Sequence, residues 1–270
     1  MSQAEIDAAF NNGAVVPELP SIRQDWLTRS QAVRGSRGEF LDQRYGGKPR
    51  QRIDLFFAPS RNAPTLAYIH GGYWQANEKE NYAYVAEGPL AHGINVAVIE
   101  HTLAPEATMS EIVEEIRQAV QWLHANLAGY GADPSRIILS GHSAGGHLTA
   151  MLLDSEIPRY GISLSGLFDL QPIRLSYLNK KLRLDEAEAE RNSPVRTLSR
   201  GRFPVLVVYG TAELPELQRQ SIEFAGVCAA RGYAHELLAI EGANHFTVVE
   251  ELARPSGLLA RKLNEIARSL

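Results

Sequence analysis

Short apolar, β-branched runs alternate with amphipathic segments along most of the chain. The runs are typical of buried strands, and the segments between them have a helical period. The predicted strands are 53–57, 64–70, 95–100, 136–140, 160–165, 203–209 and 236–240. Strands that alternate with helices predict an α/β fold, in which a mostly parallel sheet is covered by helices on both faces.

The clearest predicted helix follows the strand at 95–100. Ile112, Ile116 and Leu123 recur there at helical spacing, and glycines end the pattern shortly afterwards. Further helices are predicted at 82–91, 146–153 and 258–270.

The first forty residues differ from the rest of the chain. They are polar and irregular, and Pro17, Pro20 and Gly35 are expected to prevent a long helix. We therefore expect 1–40 to be an arm that packs over a single domain spanning 1–270.

A charged stretch lies between the strands predicted at 160–165 and 203–209. Residues 179–191 carry this charge, and two interpretations are open. The stretch is either part of a helical cap insertion at about 171–200 that roofs the site, or an ordinary surface helix.

Composition and charge narrow the classes of partner. Of the 270 residues, 44% are hydrophobic and 21% are charged, which suits a globular protein with a substantial core. The net charge of -4 gives no basic surface for nucleic acid or an anionic membrane, so a small-molecule substrate is expected. The N-terminus lacks a secretory pattern and no window could span a bilayer, so a cytoplasmic location is expected. A homodimer is the commonest assembly for a soluble oligomer.

No cofactor or metal is expected. Cys228 is the single cysteine, which excludes an internal disulfide and a thiolate cluster. His142 and His147 do not have the spacing of metal ligands. No glycine-rich nucleotide motif opens a helix, so a nucleotide cofactor is not predicted either.

The most informative motif is Gly-His-Ser-Ala-Gly at 141–145. It follows an apolar strand and precedes a helical stretch, which is the context of a nucleophile elbow. Glycines on both sides allow the strained turn, and Ser143 would point its hydroxyl out above the sheet at a helix N-terminus. The sequence therefore predicts Ser143 as the nucleophile of an α/β-hydrolase fold.

A serine hydroxyl needs a base and an acid that orients the base, and in this fold they follow in the order serine, acid, histidine. His245 lies in the loop after the last predicted strand, whereas His235 lies at the entrance of that strand. Two carboxylates follow the strand at 203–209. Glu213 is nearer to the strand end and is preferred as the acid, because Glu216 follows a proline and is expected to begin a helix.

The loop His-Gly-Gly-Tyr-Trp at 70–74 completes the constellation. It follows a strand at the place where an oxyanion hole belongs, and glycines let the backbone approach the substrate oxygen. We assign the donors to the N–H groups of Gly71, Gly72 and Ala144. Together the three features predict a serine hydrolase.

Three stretches carry a more specific signal: His-Gly-Gly-Tyr-Trp-Gln at 70–75, Gly-His-Ser-Ala-Gly-Gly-His-Leu at 141–148 and Ser-Gly-Leu-Phe-Asp-Leu-Gln-Pro-Ile at 165–173. Together they resemble the kynurenine formamidase (arylformamidase) family, a branch of the α/β-hydrolases close to the hormone-sensitive-lipase-like esterases. The similarity extends over about 53–247. The family triad is Ser, Asp and His, and the resemblance places Glu213 at the aspartate position. The family also has a Pro-Glu pair just after its acid, which favours Glu213 over Glu216.

The resemblance implies hydrolysis of N-formyl-L-kynurenine to L-kynurenine and formate through a formyl-enzyme on Ser143. Tyr73 and Trp74 would wall the acyl pocket and stack on the aryl leaving group, unless they are simply core aromatics. The alternative function is a carboxylesterase for short-acyl aryl esters or carbamates. A non-catalytic binding protein on the same scaffold is a third interpretation, which the complete set of motifs disfavours.

Overall fold

The computed structural model describes residues 2–198 and 202–270. Its strands are β1 (Phe40–Arg44), β2 (Arg52–Phe56), β3 (Thr65–Ile69), β4 (Asn95–Ile99), β5 (Ile137–His142), β6 (Tyr160–Leu164), β7 (Val205–Gly210) and β8 (His235–Ile240). Within the described residues they form one sheet in the order β1-β2-β4-β3-β5-β6-β7-β8. β2 runs antiparallel to β1 and β4, and all other neighbouring strands are parallel. The predicted α/β class with a mostly parallel sheet is confirmed.

The helices are α1 (Gln3–Ala9), α2 (Leu19–Arg37), α3 (Glu87–Ala91), α4 (Met109–Asn126), α5 (Ala144–Met151), α6 (Gln171–Arg174), α7 (Asn179–Leu182), α8 (Glu186–Arg191), α9 (Pro194–Thr197), α10 (Pro215–Ala230), α11 (Glu250–Ala253) and α12 (Leu258–Ser269). The single helix predicted at 82–91 is corrected, because a 3₁₀ turn at Ala83–Ala86 precedes α3. None of the helices in the described ranges is long and apolar enough to cross a membrane.

An apolar layer covers each face of the sheet. Every residue of β3, β4 and β5 is buried, which explains why these strands read as continuous apolar runs. Ala67 and Ile69 pack in the cluster that contains α4 and α5, whereas Leu66 and Tyr68 pack in the cluster that contains α2, α11 and α12. Successive strand residues point to opposite faces, so the central strands hold the two helical layers together.

The edge strand β1 was not predicted. Its sequence Phe-Leu-Asp-Gln-Arg lacks an apolar run, and no residue in it is fully buried. The register to β2 shifts within the strand, and Asp42 has a φ of 56°. An edge strand needs neither an apolar run nor a regular ladder, so its pairing depends on β2 and not on its own pattern.

The N-terminal arm contains a long helix, so the prediction that prolines and glycine would prevent one is wrong. α2 has 19 residues, with Pro20 in its first turn, where a missing N–H breaks no helical bond. Trp26 on α2 is buried, stacks on Tyr84 at 5.1 Å between ring centroids and donates its indole N–H to Glu250 at 2.7 Å. The arm is therefore built into the fold by contacts to distant parts of the chain.

The predicted cap at about 171–200 forms the four short helices α6 to α9 up to residue 198, and residues 199 and 200 lie outside the described residues. The charged stretch 179–191 is not one continuous helix, because Arg183 has a φ of 52° between α7 and α8. α1 packs against this region, where the Asp7 carboxylate accepts the Tyr177 N–H at 2.7 Å.

Candidate active site

Ser143 lies at the turn between β5 and α5. Its φ of 57° and ψ of -116° give the strained backbone that the motif predicts for an elbow. The flanking glycines are required by space: a Cβ on Gly141 would lie 2.3 Å from the Gly145 carbonyl oxygen, and one on Gly145 would lie 2.0 Å from the Ile69 oxygen. The chain can therefore pass from strand to helix tightly enough to present the serine at the carboxyl end of the sheet.

His245 and Glu213 meet from two different loops. The His245 Nδ1 lies 2.9 Å from the Glu213 Oε2, and both side chains are buried. The other carboxylate oxygen of Glu213 accepts the Gly210 N–H at 2.6 Å and the hydroxyl of Ser165. A carboxylate held on both oxygens fixes the imidazole orientation and leaves Nε2 as the ring nitrogen for proton transfer.

The two rejected candidates lie elsewhere. Glu216 is in the first turn of α10, where its carboxylate pairs with Arg219 at 2.8 Å. The His235 ring contacts the carbonyl oxygen of Tyr233 at 2.8 Å, at the start of the edge strand β8. The structure thus brings Glu213, not Glu216, to His245.

Ser143 and His245 line one cavity of about 400 Å³. In the described residues the serine hydroxyl makes no hydrogen bond to the His245 ring. Such bonds are often open in substrate-free enzymes and tighten when substrate binds. The arrangement is consistent with a nucleophile and base that engage during the reaction.

His142, which we did not expect to have a role beyond its place in the motif, supports His245 from below. Its Nε2 donates to the His245 carbonyl oxygen at 2.7 Å, and the two rings lie 4.6 Å apart between centroids. Burial, together with the charge of His245, lowers the pKa of His142 well below its usual value. The imidazole therefore stays neutral while it holds the loop that carries His245.

The loop after β3 approaches the serine closely. A Cβ on Gly71 would lie 3.1 Å from the Ser143 Cβ, and Gly72 has a φ of 125° that favours glycine. The Gly71 carbonyl oxygen accepts from the His70 Nδ1 at 2.8 Å and from the Asn77 amide at 3.1 Å. Because a peptide plane points its C=O and N–H in opposite directions, these bonds fix where the Gly72 N–H points.

The predicted oxyanion donors have no competing acceptor. Among the described residues, no protein acceptor takes the N–H of Gly71, Gly72 or Ala144. Ala144 is the first residue of α5, where a helix N-terminus leaves N–H groups free. The loop is held from behind by Glu100, whose Oε1 lies 3.1 Å from the His70 Nε2. Burial would raise the pKa of Glu100, but the charge of His70 lowers it to about 2.

The two aromatic residues that were predicted to wall the pocket, Tyr73 and Trp74, lie in different environments. Tyr73 lines the cavity, and its hydroxyl donates to the Phe10 carbonyl oxygen at 2.7 Å. Trp74 does not line the cavity: it is 1% exposed and packs edge-on against His147, with 4.9 Å between ring centroids. The prediction that Trp74 walls the pocket is therefore wrong. Its side chain belongs to the core, because the loop turns it under α5.

The cavity has two walls. The sheet-end wall consists of residues at the carboxyl ends of strands: Gly71, Gly72, His142, Ser143 and His245. The arm wall comes from the N-terminal arm: Phe10, Asn11, Asn12, Gly13, Arg23, Trp26 and Leu27. Tyr177 from the predicted cap region also lines the cavity. Sequence reasoning missed the arm wall, since no motif marks residues that reach the site only through tertiary packing.

The arrangement has the parts needed for acyl transfer. It combines a serine on a strained turn, a histidine oriented by a carboxylate and free backbone N–H groups beside them. In residues 2–198 and 202–270, no cluster of three or more His, Cys, Asp or Glu side chains could hold a metal ion.

Comparisons with known proteins agree with this geometry. The model of the prolyl oligopeptidase family matches residues 107–262, more than half of the chain, and the BD-FAE family model matches residues 53–156. The kynurenine formamidase of Danio rerio is 29% identical over 238 residues, which cover 83% of this chain and 80% of that protein. The kynurenine formamidase of Drosophila melanogaster is 27% identical over 249 residues, which cover 85% and 82%.

A solved structure extends the match over almost the whole chain. A candidate thioesterase from Silicibacter sp. is 32% identical, with a TM-score of 0.84, and the match covers 95% of this chain and 98% of that one. The chain therefore belongs to the prolyl oligopeptidase family, and it is a serine hydrolase of the α/β-hydrolase fold related to the kynurenine formamidases.

Proposed function

We propose that the protein hydrolyses aryl formamides such as N-formyl-L-kynurenine, releasing L-kynurenine and formate. The observation that carries the proposal is the contact between Glu213 and His245 beside the cavity that holds Ser143. The relatives from Danio rerio and Drosophila melanogaster, which align over more than four fifths of the chain, are named kynurenine formamidases. Their names favour the formyl group among the acyl groups that such a site could transfer.

In the first half of the reaction, the Ser143 Oγ forms a bond to the formyl carbon and gives its proton to the His245 Nε2. The carbonyl oxygen becomes negative and takes hydrogen bonds from the N–H groups of Gly71, Gly72 and Ala144, each worth about 3 kcal/mol in the transition state. The intermediate then collapses: the carbon–nitrogen bond breaks, and the departing arylamine takes the proton from His245.

In the second half, water replaces the arylamine. His245 removes a proton from the water as its oxygen attacks the formyl carbon, and the Ser143 oxygen leaves with that proton. Formate is released and the serine is restored. Glu213 keeps the imidazole in the productive tautomer throughout and stabilises its positive charge.

The lining of the cavity suits a small acyl group with a larger aromatic leaving group. A formyl group needs only the space between Ser143 and the paired glycines. Six Phe, Tyr and Trp side chains also line the cavity, namely Phe10, Trp26, Tyr73, Tyr82, Tyr177 and Phe246. Such rings can pack on an aryl leaving group.

An esterase is the second candidate, because the Silicibacter relative described as a candidate thioesterase matches the chain at the higher identity of 32%. Short-acyl aryl esters or carbamates would use the same nucleophile and base. The two functions differ in the leaving group: an anilide nitrogen must be protonated as it departs, whereas a phenolate oxygen or a thiolate departs readily.

The test compares the turnover of N-formyl-L-kynurenine with that of p-nitrophenyl acetate by the purified protein. We expect efficient hydrolysis of the formamide, and we expect Ser143→Ala to lose both activities while it melts at the temperature of the wild type. Good ester hydrolysis with formamide turnover at background would replace the formamidase with the esterase. A cytoplasmic location and a homodimer also stay predictions, which cell fractionation and light scattering would check.

A further inference from the structure

We propose that Arg23 binds a carboxylate on the leaving group of the substrate, so that the arm wall favours aryl formamides whose side chain carries a carboxylate. This inference rests on the proposed function, because it names the substrate class of the same site. The argument has three parts: where Arg23 lies, what it is not bound to and what surrounds it.

Arg23 reaches the cavity from one face of α2. Arg23, Trp26 and Leu27 are spaced at i, i+3 and i+4, so their side chains share that face, and all three line the cavity. Trp26 is fixed by its bond to Glu250 and by stacking on Tyr84. The helix that carries Arg23 is therefore held firmly beside the site, one turn from a buried anchor.

Arg23 has no carboxylate partner within the described residues, unlike two other arginines of the same helix. Arg29 pairs with Glu87 at 2.7 Å and with Glu250 at 2.9 Å, and Arg34 pairs with the buried Asp54. No Asp, Glu or Lys lines the cavity among the described residues, so Arg23 supplies its one permanent charge. Arg23 is an exposed residue, and aromatic rings and asparagines make up most of the remaining lining. A guanidinium that is always protonated and has no carboxylate partner is suited to an anion that enters with the ligand.

Two other polar residues of the cavity lining, Tyr82 and Asn12, support the proposal. Burial raises the pKa of the Tyr82 phenol, and the nearby charge of Arg23 acts in the opposite direction, which places Arg23 within electrostatic range of that ring. On the arm wall, Asn12 is buried and gives its amide N–H to the Tyr73 hydroxyl at 2.9 Å, while its Oδ1 has no hydrogen-bond partner. A buried acceptor without a partner is costly unless a ligand or water satisfies it.

These observations divide the cavity by chemistry. The acyl group must lie at Ser143 on the sheet-end wall, whereas Arg23 and Asn12 belong to the arm wall, and aromatic side chains line the same cavity. A substrate that fits both ends has a small acyl group on an aromatic amine and an ionised carboxylate beyond the ring. An N–H group near that carboxylate would suit the free Asn12 oxygen.

The kinetic test uses two formamides with the same reacting group. N-formyl-L-kynurenine carries an α-amino acid with its carboxylate, and 2′-formamidoacetophenone has the same aryl formamide and ketone without the amino-acid group. The Arg23→Met variant tests the carboxylate within this pair, because a guanidinium binds the carboxylate and not the ammonium group. We expect Arg23→Met to raise KM for N-formyl-L-kynurenine about 10-fold with little change in kcat, as expected for a lost charge-assisted hydrogen bond. Both constants for 2′-formamidoacetophenone should stay within about 2-fold.

The matched control is Arg37→Met. Arg37 lies in the last turn of the same helix, is exposed, has no ion pair among the described residues and does not line the cavity. It should leave both substrates unaffected, whereas Arg23→Lys should retain part of the preference for the carboxylate. The KM advantage of the carboxylated substrate should also shrink at high salt for the wild type and not for Arg23→Met.

Direct binding separates this inference from the proposed function. Titration calorimetry with L-kynurenine and with 2′-aminoacetophenone needs no turnover. Weaker binding of kynurenine alone to Arg23→Met would support the anchor even if neither formamide were hydrolysed, an outcome that would overturn only the formamidase. Formamide turnover with equal effects of Arg23→Met on both ligands, or with no effect on either, would overturn the anchor and leave the formamidase intact. Failure of kynurenine to bind the wild type would also overturn the anchor.

Discussion

The sheet-end wall and the arm wall surround the same cavity but are built in different ways. The sheet-end wall is made of short local motifs, each directly after a strand, and its geometry follows from tight turns that tolerate only glycine at set positions. The arm wall contains no sequence motif. It is positioned by individual contacts between residues that are distant in sequence, such as the hydrogen bond between Trp26 and Glu250. We infer that the first wall serves the chemistry common to the fold, and that the second wall chooses among substrates.

The largest effect is expected from Glu213, the carboxylate that contacts His245 of the sheet-end wall. Glu213→Gln keeps the size of the side chain but favours the wrong tautomer of His245, so kcat should fall about 10³- to 10⁴-fold on formamide and ester alike. Glu216→Gln is the matched control, because the Glu216 carboxylate pairs with Arg219 on α10 and makes no hydrogen bond to His245 in the described residues. A large loss for Glu216→Gln with a small loss for Glu213→Gln would reverse the assignment.

A smaller loss of activity is expected from the oxyanion loop. Gly72→Ala places a methyl group 2.2 Å from the Ala76 carbonyl oxygen at a φ of 125°, so the peptide must rotate and move a donor away from the substrate oxygen. We expect kcat to fall about 10²-fold. Gly47→Ala, at a position with open space around it, should have little effect. Steady-state kinetics of the two variants decide whether the paired glycines act on the reaction itself.

The arm wall should affect stability and leave the chemical step alone. Trp26→Phe removes the bond to Glu250 and should lower the free energy of unfolding by about 1 kcal/mol, with kcat on 2′-formamidoacetophenone nearly unchanged. Trp122→Phe on α4 is the matched control, since its indole N–H has no hydrogen-bond partner among the described residues. Urea unfolding measures both variants. A loss of kcat for Trp26→Phe as large as that for Gly72→Ala would remove the distinction between the two walls.

The last effect concerns pH and is absent at neutral pH. Burial lowers the pKa of His147, which lies on α5 and packs edge-on against Trp74, from 6.5 to about 4. The unfolded chain therefore takes up a proton at this residue before the folded protein does, and stability should decline as the pH falls from 6.5 to about 4. His147→Gln should reduce that decline by at most about 1.4 kcal/mol per pH unit. Thermal unfolding across this range checks the slope, and an unchanged slope would contradict the prediction.

The strands and the elbow were predictable because their signals are local. An apolar run buried on both faces is nearly sufficient for a central parallel strand, and β3, β4 and β5 were all found in this way. The contact of Glu213 with His245 was also predictable from the sequence, since both residues follow parallel strands whose carboxyl ends lie on the same side of the sheet. β1 and α2 were missed because an edge strand needs little apolar character and because proline in a first helical turn does not break a helix.

By itself, the sequence determined the α/β class, the elbow at Ser143 and the identity of the residues that meet it at the strand ends. These depend on backbone geometry over a few residues, which glycine positions and apolar runs encode directly. Only the tertiary structure decided that Trp74 belongs to the core, that the N-terminal arm forms one wall of the cavity and that Arg23 reaches it without a carboxylate partner among the described residues. The reason is physical. Whether a side chain faces a site, and whether its charge is paired, depends on residues that are distant in sequence, and a local sequence pattern carries no information about them.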